Sequence, residues 1–456
     1  EQDQARAALA RHALGVAEQA AAGLQTSTGE PAAARWLDAE DAAVGRVLAW
    51  AAERDLDTAV RLVTALSMWW VLRGRLAGQE PLLRELAGRA EPGSDGWCAA
   101  QFWLARTEED APDLPAALER YAAVIDVIKD RGPSRMLVDC LARQSVTLAD
   151  LGRVPEAARC GRRALAMARE LGYRSGQVQA TTGLVIAAMY AGDLDDAVQL
   201  ARQAGQVPDI SGTAARMCGC LLAEALAEAG DLAAAEQACA ATLARAQDAG
   251  DMYRLGQLLP VMADLDLRAG RTGDGAAHLR EAAQIALQTG IWSTILNVLY
   301  LCGYLCAATG RPADAITAWA ADETLGQQGG LVTHDADTRH REDALREARK
   351  ALGPDRARAA EQRGAAMSPA TAAEYALLLT APSPPPAPAA SGAARLSARE
   401  RELVTLVARG RTDAQIAGQL YISIRTVRSH LDRIRDKTGC RRRADLTRLA
   451  LATGLV

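Results

Sequence analysis

The chain has few aromatic side chains and little histidine. Phe, Trp and Tyr make up 4% of its 456 residues, with Phe102 the single phenylalanine. That poverty counts against strands, which favour aromatic and β-branched residues. Alanine fills many windows instead, as suits close-packed helices, so the expected class is all-α. Five histidines leave little general-base chemistry, and no G-x-S-x-G elbow, H-E-x-x-H pair or G-x-x-x-x-G-K-[ST] phosphate loop occurs. No catalysis and no cofactor are therefore expected within this chain. The longest near-apolar run, Thr294 to Thr309, is interrupted by Asn297. It falls short of the roughly 20 residues a membrane helix needs, which makes it a core helix and leaves no membrane partner. The nine cysteines are an odd number and no signal-peptide pattern opens the chain, so the expected compartment is the reducing cytoplasm, without structural disulfides.

What is present is enough apolar material for a core. Apolar residues are 49% and charged residues 24%, which excludes global disorder. The length fits roughly three compact units at about 150 residues each. The formal charge of −4 is unevenly spread: residues 395–456 carry fourteen Arg and Lys against six Asp and Glu, and the other 394 carry thirty-eight against fifty. A +8 tail on a −12 body is the footprint of one module meeting a polyanion while the rest does not. The body could also fold back on the tail and mask it, a self-inhibition that salt or a ligand would relieve.

An internal repeat organises the middle of the chain. A phrase of a small residue, Gly, a polar residue and an Ala-rich helix recurs at Gly152, Gly192, Gly230, Gly270 and Gly310, at intervals of 40, 38, 40 and 40. Stepping back by the same amount reaches Pro112 and Gly74, giving seven units. Gly172, Gly250 and Gly290 form a second marker that closes the other helix of several units. Each unit reads as a helical hairpin, its first helix ended by a left-handed Gly and its second opened by the Asp or Pro that follows. These hairpins resemble tetratricopeptide-like repeats, although 40 residues exceeds that family's usual length. Neighbouring hairpins would stack into a superhelix with one concave wall.

The expected organisation is a helical start over 1–73, repeats over 74–337, further helices over 338–380, a Pro/Ala linker over 381–394 and a basic module over 395–456. Trp36, Leu37, Val44, Val47, Leu48, Leu62, Leu66, Trp69 and Trp70 carry the helical spacing of the start. The linker, APSPPPAPAASGAA, is uncharged and favours extended polyproline II.

The basic module has tight local signals. Ser397 to Glu400 and Thr412 to Gln415 are capping boxes, and Gly410 stops the helix between them. Tyr421 and Ile422 make a turn, and Ser423 caps a third helix. Its apolar residues Val427, Leu431 and Ile434 leave Arg425, Arg428, Ser429 and Asp432 on the opposite face. A fourth helix follows Arg441, Arg442 and Arg443, which either grip phosphate or solvate a loop. Two short helices, a tight turn and a basic outer face are what a major-groove reader requires.

The run from Leu396 to Cys440 resembles the C-terminal helix-turn-helix of LuxR-type transcription regulators. Leu396-Ser-x-Arg399-Glu400-x-Glu402, Gly410, Ile416-Ala417 and Ser423-x-Arg425-Thr426-Val427-Arg428-x-His430 stand at that family's spacing. The resemblance implies double-stranded DNA as partner. Thr412, Arg425, Thr426, Arg428 and Lys437 would meet the phosphate backbone, while Arg428, Ser429 and Asp432 would lie nearest the base edges. It also implies a dimer on DNA, paired through the fourth helix, Ala444 to Ala452. Two positions depart from the family pattern: Ile424 replaces a common Pro, and Asp432 replaces a common Lys. A carboxylate at that point repels phosphate unless it accepts from a cytosine amino group.

With a helical-repeat region in front, the chain is similar to the large ATP-binding LuxR-type regulators. Their NTPase module is not found here, so ATP would belong to an upstream module, and a chain beginning at Glu1 fits one cut away. The expected function is a sequence-specific DNA-binding transcription regulator whose repeats sense a protein or small-molecule ligand. The alternative is a protein-interaction scaffold of a signalling NTPase with a non-essential DNA-binding tail. Trp292, Tyr300 and Tyr304, with Trp319 nearby, would line a ligand groove or pack between repeats. Cys218, Cys220, Cys302 and Cys306 read as core rather than metal ligands, and His430 as structural or phosphate-neighbouring.

Overall fold

The computed structural model describes residues 2–332, 335–381, 396–420, 422–438, 440, 442–452 and 455. Among them every regular element is a helix. The Pro/Ala tether beyond its first residue, Tyr421 of the expected turn, and Arg441 lie outside the described residues. The chain divides into two compact units, Glu1–Ala373 and Glu374–Val456.

The first unit opens with α1 (Gln2–Leu24), α2 (Glu30–Arg54) and α3 (Leu56–Leu72), then a 3-10 turn at Ala77–Gln79 and α4 (Glu80–Arg89). Helical hairpins follow: α5 (Asp95–Glu109) with α6 (Leu114–Ile128), α7 (Arg135–Asp150) with α8 (Val154–Glu170), and α9 (Arg174–Ala191) with α10 (Leu194–Gly205). The series continues with α11 (Gly212–Glu228) and α12 (Leu232–Ala249), α13 (Met252–Arg268) and α14 (Thr272–Thr289), and α15 (Trp292–Ala308) and α16 (Pro312–Gly329). It ends with α17 (Asp335–Leu352) and α18 (Pro354–Ala365), and the division between units falls within α19 (Pro369–Leu379).

The repeat phrase works as a helix stop. Gly152 takes φ +72, and Arg153 donates back to the Leu148 carbonyl at 2.8 Å, a Schellman closure that the left-handed residue makes reachable. The same backward bond recurs from Asp193, Asp231, Arg271 and Arg311. Gly74 is left-handed as well. At Pro112 no glycine is needed, because the chain turns through Asp110 to Pro112 and Asp113 accepts from the Ala116 amide at 3.2 Å to open α6. In the second marker series the place between Gly172 and Gly250 is taken by Asp209, at φ +48 the one left-handed non-glycine among the described residues.

Five residues after each glycine of the first series stands a small buried residue: Ala157, Ala197, Ala235, Gly275 and Ala315, with Ala117 in the corresponding place of α6. A Cβ added at Gly275 would approach the Ala263 carbonyl to 3.3 Å. Paired helices come this close only over small side chains, which accounts for the alanine content. Larger residues gather near the start, where Trp69, Phe102, Trp103 and Tyr121 share one core.

The solenoid curls until distant repeats touch. Arg73 donates to the carbonyls of Ala249 and Gly250 at 2.7 and 2.8 Å. The Trp292 amide donates to Asp110 O at 3.0 Å, and the Val332 amide to Asp150 O at 2.9 Å. Arg216 sits between Glu30 and Asp251 at 2.7 Å from each, and all three side chains are at most 5% exposed. The Thr213 amide completes the bond set of Glu30 at 2.7 Å, across 183 residues of sequence.

The second unit holds α20 (Ala398–Ala408), α21 (Asp413–Leu420), α22 (Ile424–Thr438) and α23 (Arg443–Ala452). Their core is Leu403, Leu406, Ile416, Val427, Leu431, Ile434, Leu446 and Ala450 with their neighbours. Full burial of each large apolar side chain stabilises the unit by about 1.5–3 kcal/mol.

Candidate functional site

The second unit presents one helix to solvent by locking the others. Ser397 Oγ accepts from the Glu400 amide at 3.2 Å while Glu400 Oε2 accepts from the Ser397 amide at 2.8 Å, so the first expected capping box is formed. The second is formed too: Thr412 Oγ1 accepts from the Gln415 amide at 3.3 Å, and Gln415 Oε1 from the Thr412 amide at 3.0 Å. Gly410, at φ +73, separates α20 from α21. Ser423 Oγ accepts from the Thr426 amide at 3.1 Å and starts α22.

Along α22, Val427, Leu431 and Ile434 are buried, and Arg425, Arg428, Ser429 and Asp432 are exposed on the other side. Thr426 is half-buried, its hydroxyl 2.8 Å from that of Ser423, and His430 is half-buried. Thr412 is exposed at the N-terminus of α21, where the first amides have no intrahelical acceptor and the helix end carries positive partial charge. Ile424, the departure from the common Pro, is an exposed apolar side chain at the start of α22.

The structure adds side-chain contacts to this frame. Asp413 receives Arg443 at 2.7 Å and Arg428 at 3.5 Å, so it ties α23 and the exposed face of α22 to the start of α21. Arg428 nevertheless remains 72% exposed. Asp432 pairs with Arg435 at 2.7 Å, which offsets its charge on an otherwise basic face. Lys437, expected at phosphate, has its ammonium on both oxygens of Glu400 at 2.7 and 2.8 Å. That ammonium, followed by the Ser397 amide, holds the Glu400 carboxyl down at about 2. Arg443 also donates to the Arg411 carbonyl, so its guanidinium is spent inside the unit, while Arg442 is exposed.

A second concave feature belongs to the first unit. Curling of the solenoid forms a half-open chamber of about 450 Å³ lined chiefly by the odd-numbered helices from α5 to α15, with Leu114 of α6 and Asp322 of α16. Trp292 and Tyr300 line it and Tyr304 does not. Tyr304 packs at 5.1 Å against Tyr300 and 5.2 Å against Trp319, whose Nε1 donates to Tyr300 O at 3.0 Å. The aromatic series is thus split between the chamber wall and the packing behind it. Cys218, Cys302 and Cys306 are buried thiols, and burial pushes Cys218 up to about 11 and Cys306 to about 12. Among the described residues no three His, Cys, Asp or Glu side chains converge to hold a metal ion, and no helix is long and apolar enough to cross a membrane.

Comparison with known proteins places the helix-turn-helix. Residues 394–450 match the family model GerE, bacterial regulatory proteins, luxR family, so the C-terminal domain is of LuxR type. No curated protein matches the chain. Among solved structures, a putative kinesin light chain of Podosopora anserina with nearly identical TPR-like repeats is 17% identical, over 42% of this chain and 94% of that one, at a TM-score of 0.31. A Rap protein complexed with Competence and Sporulation Factor is 12% identical, over 74% of this chain and 99% of that one, at a TM-score of 0.44. The apo form of RapI is also 12% identical, over 75% and 98%, at 0.37.

Proposed function

We propose that this protein is a sequence-specific DNA-binding transcription regulator of the cytoplasm in which the helical-repeat unit senses a ligand or partner. The observation that carries the reading is α22: a LuxR-type recognition helix whose apolar side is fully used in the core and whose polar side is free for the major groove. Thr412 at the N-terminus of α21, together with Arg425 and Thr426 at the start of α22, supplies phosphate contacts, which fix register and provide most of the affinity. Arg428, Ser429 and Asp432 read bases. Arg428 leaves Asp413 to do so, and Asp432 accepts from a cytosine amino group once it turns from Arg435. Lys437 serves the cap of α20 in the free protein and reaches phosphate only by giving up Glu400. Half-sites are met by a dimer paired through α23. No cofactor is assigned to this chain.

The test is selection of sheared genomic DNA by the full chain at about 150 mM salt, where purely electrostatic binding is weakened. Recovery of a short inverted repeat near promoters is the expected result. Recovery without any shared sequence would overturn operator recognition and favour the scaffold reading.

A further inference from the structure

The chamber inside the solenoid is not charge-balanced. Most of its ionic side chains are matched: Glu109 takes Arg106, Arg143 and the Thr147 hydroxyl, Arg268 holds Asp264 at 2.8 Å, and Arg341 holds Asp322 at 3.0 Å. Asp150 at the end of α7 and Glu224 in α11, both half-buried, also line the chamber, and the carboxylate of neither makes a hydrogen bond or ion pair. Each lies within the other's field or that of a further carboxylate: Glu224 acts on Asp150, and Glu228 on Glu224. Burial pushes both carboxyls up to about 7, with Arg143 and Arg254 only partly opposing it. The carbonyl ends of α7 and α11 add negative potential at this place. The N-terminus of α15 opposes them, but its Trp292 amide is already committed to Asp110.

One cation on the wall stands near Glu224 without an ion pair: Arg254, whose guanidinium donates to Gln257 and whose Nε has no partner. The unpartnered hydroxyl of Thr294 lies against Gly256 of α13, in the packing behind the wall. The rest of the wall is apolar or aromatic, with Tyr253, Tyr300, Leu221, Leu296 and Met217. A small site of this kind takes a ligand with an apolar body and a few polar groups.

We propose that the chamber binds a small organic cation, an amine or guanidinium held between Asp150 and Glu224 with its apolar body against Trp292, Tyr253 and Tyr300. An anion would face unpaired carboxylates, and a neutral molecule would leave them unpaired. The proposal deepens the sensing role given above and rests on it only for its regulatory meaning, because occupancy is read on the chain without DNA.

The experiment is calorimetric titration of the full chain with phenethylamine and agmatine, set against 3-phenylpropionate and 2-phenylethanol. An amine is expected to bind at least about tenfold more tightly than the carboxylate of the same shape. The pair D150N and E224Q should each reduce that preference about tenfold. Both variants remove a charge that burial disfavours, and circular dichroism checks that they are folded. Carboxylate binding as tight as amine binding, absence of binding by either amine, or amine binding unchanged in both folded variants would overturn the proposal. Any of these failures leaves recovery of an operator from genomic DNA untouched, whereas failure of that recovery with amine binding intact would overturn the DNA reading alone.

Discussion

Carboxyl groups meet opposite fates in the two units of this chain. In the C-terminal unit Glu400 is 4% exposed, yet it is fully partnered by Lys437 and the Ser397 amide and held down at about 2. In the helical-repeat unit Asp150 and Glu224 are half-buried on the chamber wall, without side-chain partners, and pushed up to about 7. Proximity to a committed cation, more than burial, separates them. A small reading domain uses its buried carboxylate to make its own fold rigid. The solenoid keeps two carboxyls unmatched inside a chamber, where a second molecule can complete them. Its third buried arrangement, Arg216 between Glu30 and Asp251, shows that the same unit does pair its charges where it closes on itself.

That contrast can be broken experimentally, and the largest effect is expected at the closure. Replacing Arg216 by Met strands two buried carboxylates and should cost the repeat unit about 3–5 kcal/mol. Urea unfolding that resolves the two units would show the loss in one transition and none in the other. On the reading face, Arg428→Ala should weaken binding to the selected operator by about 1–3 kcal/mol with the fold intact. Unchanged affinity in a binding titration would remove Arg428 from the base contacts.

The remaining two predictions set the units against each other along the pH axis. Glu400→Gln should lower the stability of the C-terminal unit by about 1 kcal/mol near neutral pH. Because the folded carboxyl sits near 2 and the free one near 4.5, wild type holds this advantage above about pH 4.5 and loses it as pH falls toward 2, where the two proteins should melt together. Asp150 has the opposite sign. Its folded carboxyl is raised from 3.8 to about 7, so its contribution is fully present only below about pH 3.8 and is lost progressively as pH rises to 7. Asp150→Asn should therefore melt like wild type near pH 3.5, with the gap opening between about pH 4 and 7 to roughly 2–4 °C in favour of the variant near pH 8. A constant difference across that range would show that the carboxyl of Asp150 is not raised.

The reading face was legible because its signals are local. Ser397 with Glu400 and Thr412 with Gln415 lie three residues apart, and an i, i+4, i+7 spacing places Val427, Leu431 and Ile434 on one side and Arg428 and Ser429 on the other. The pairings of Lys437 with Glu400 and Arg443 with Asp413 were not legible, since side chains on different helices choose partners only after the helices pack, whereas Asp432 with Arg435 is a local i, i+3 pair within α22. Trp292, Tyr300 and Tyr304 stood out in the sequence only as an aromatic series, and that series could not separate the first two from Tyr304, which turns into the packing behind the wall.

The sequence by itself determined the helical hairpins and their period. A left-handed Gly stop, the Asp or Pro that follows it and a small residue five positions on act within one hairpin, and each recurs visibly along the chain. It likewise determined the helix-turn-helix through caps and a single amphipathic period. Only the tertiary structure decided that the solenoid closes, bringing Glu30 to Arg216, Arg73 to Gly250 and Asp110 to Trp292. Curvature is the sum of small rotations, one per repeat. No residue encodes that sum locally, and the chamber with its unmatched carboxyls exists only where the sum brings distant turns together.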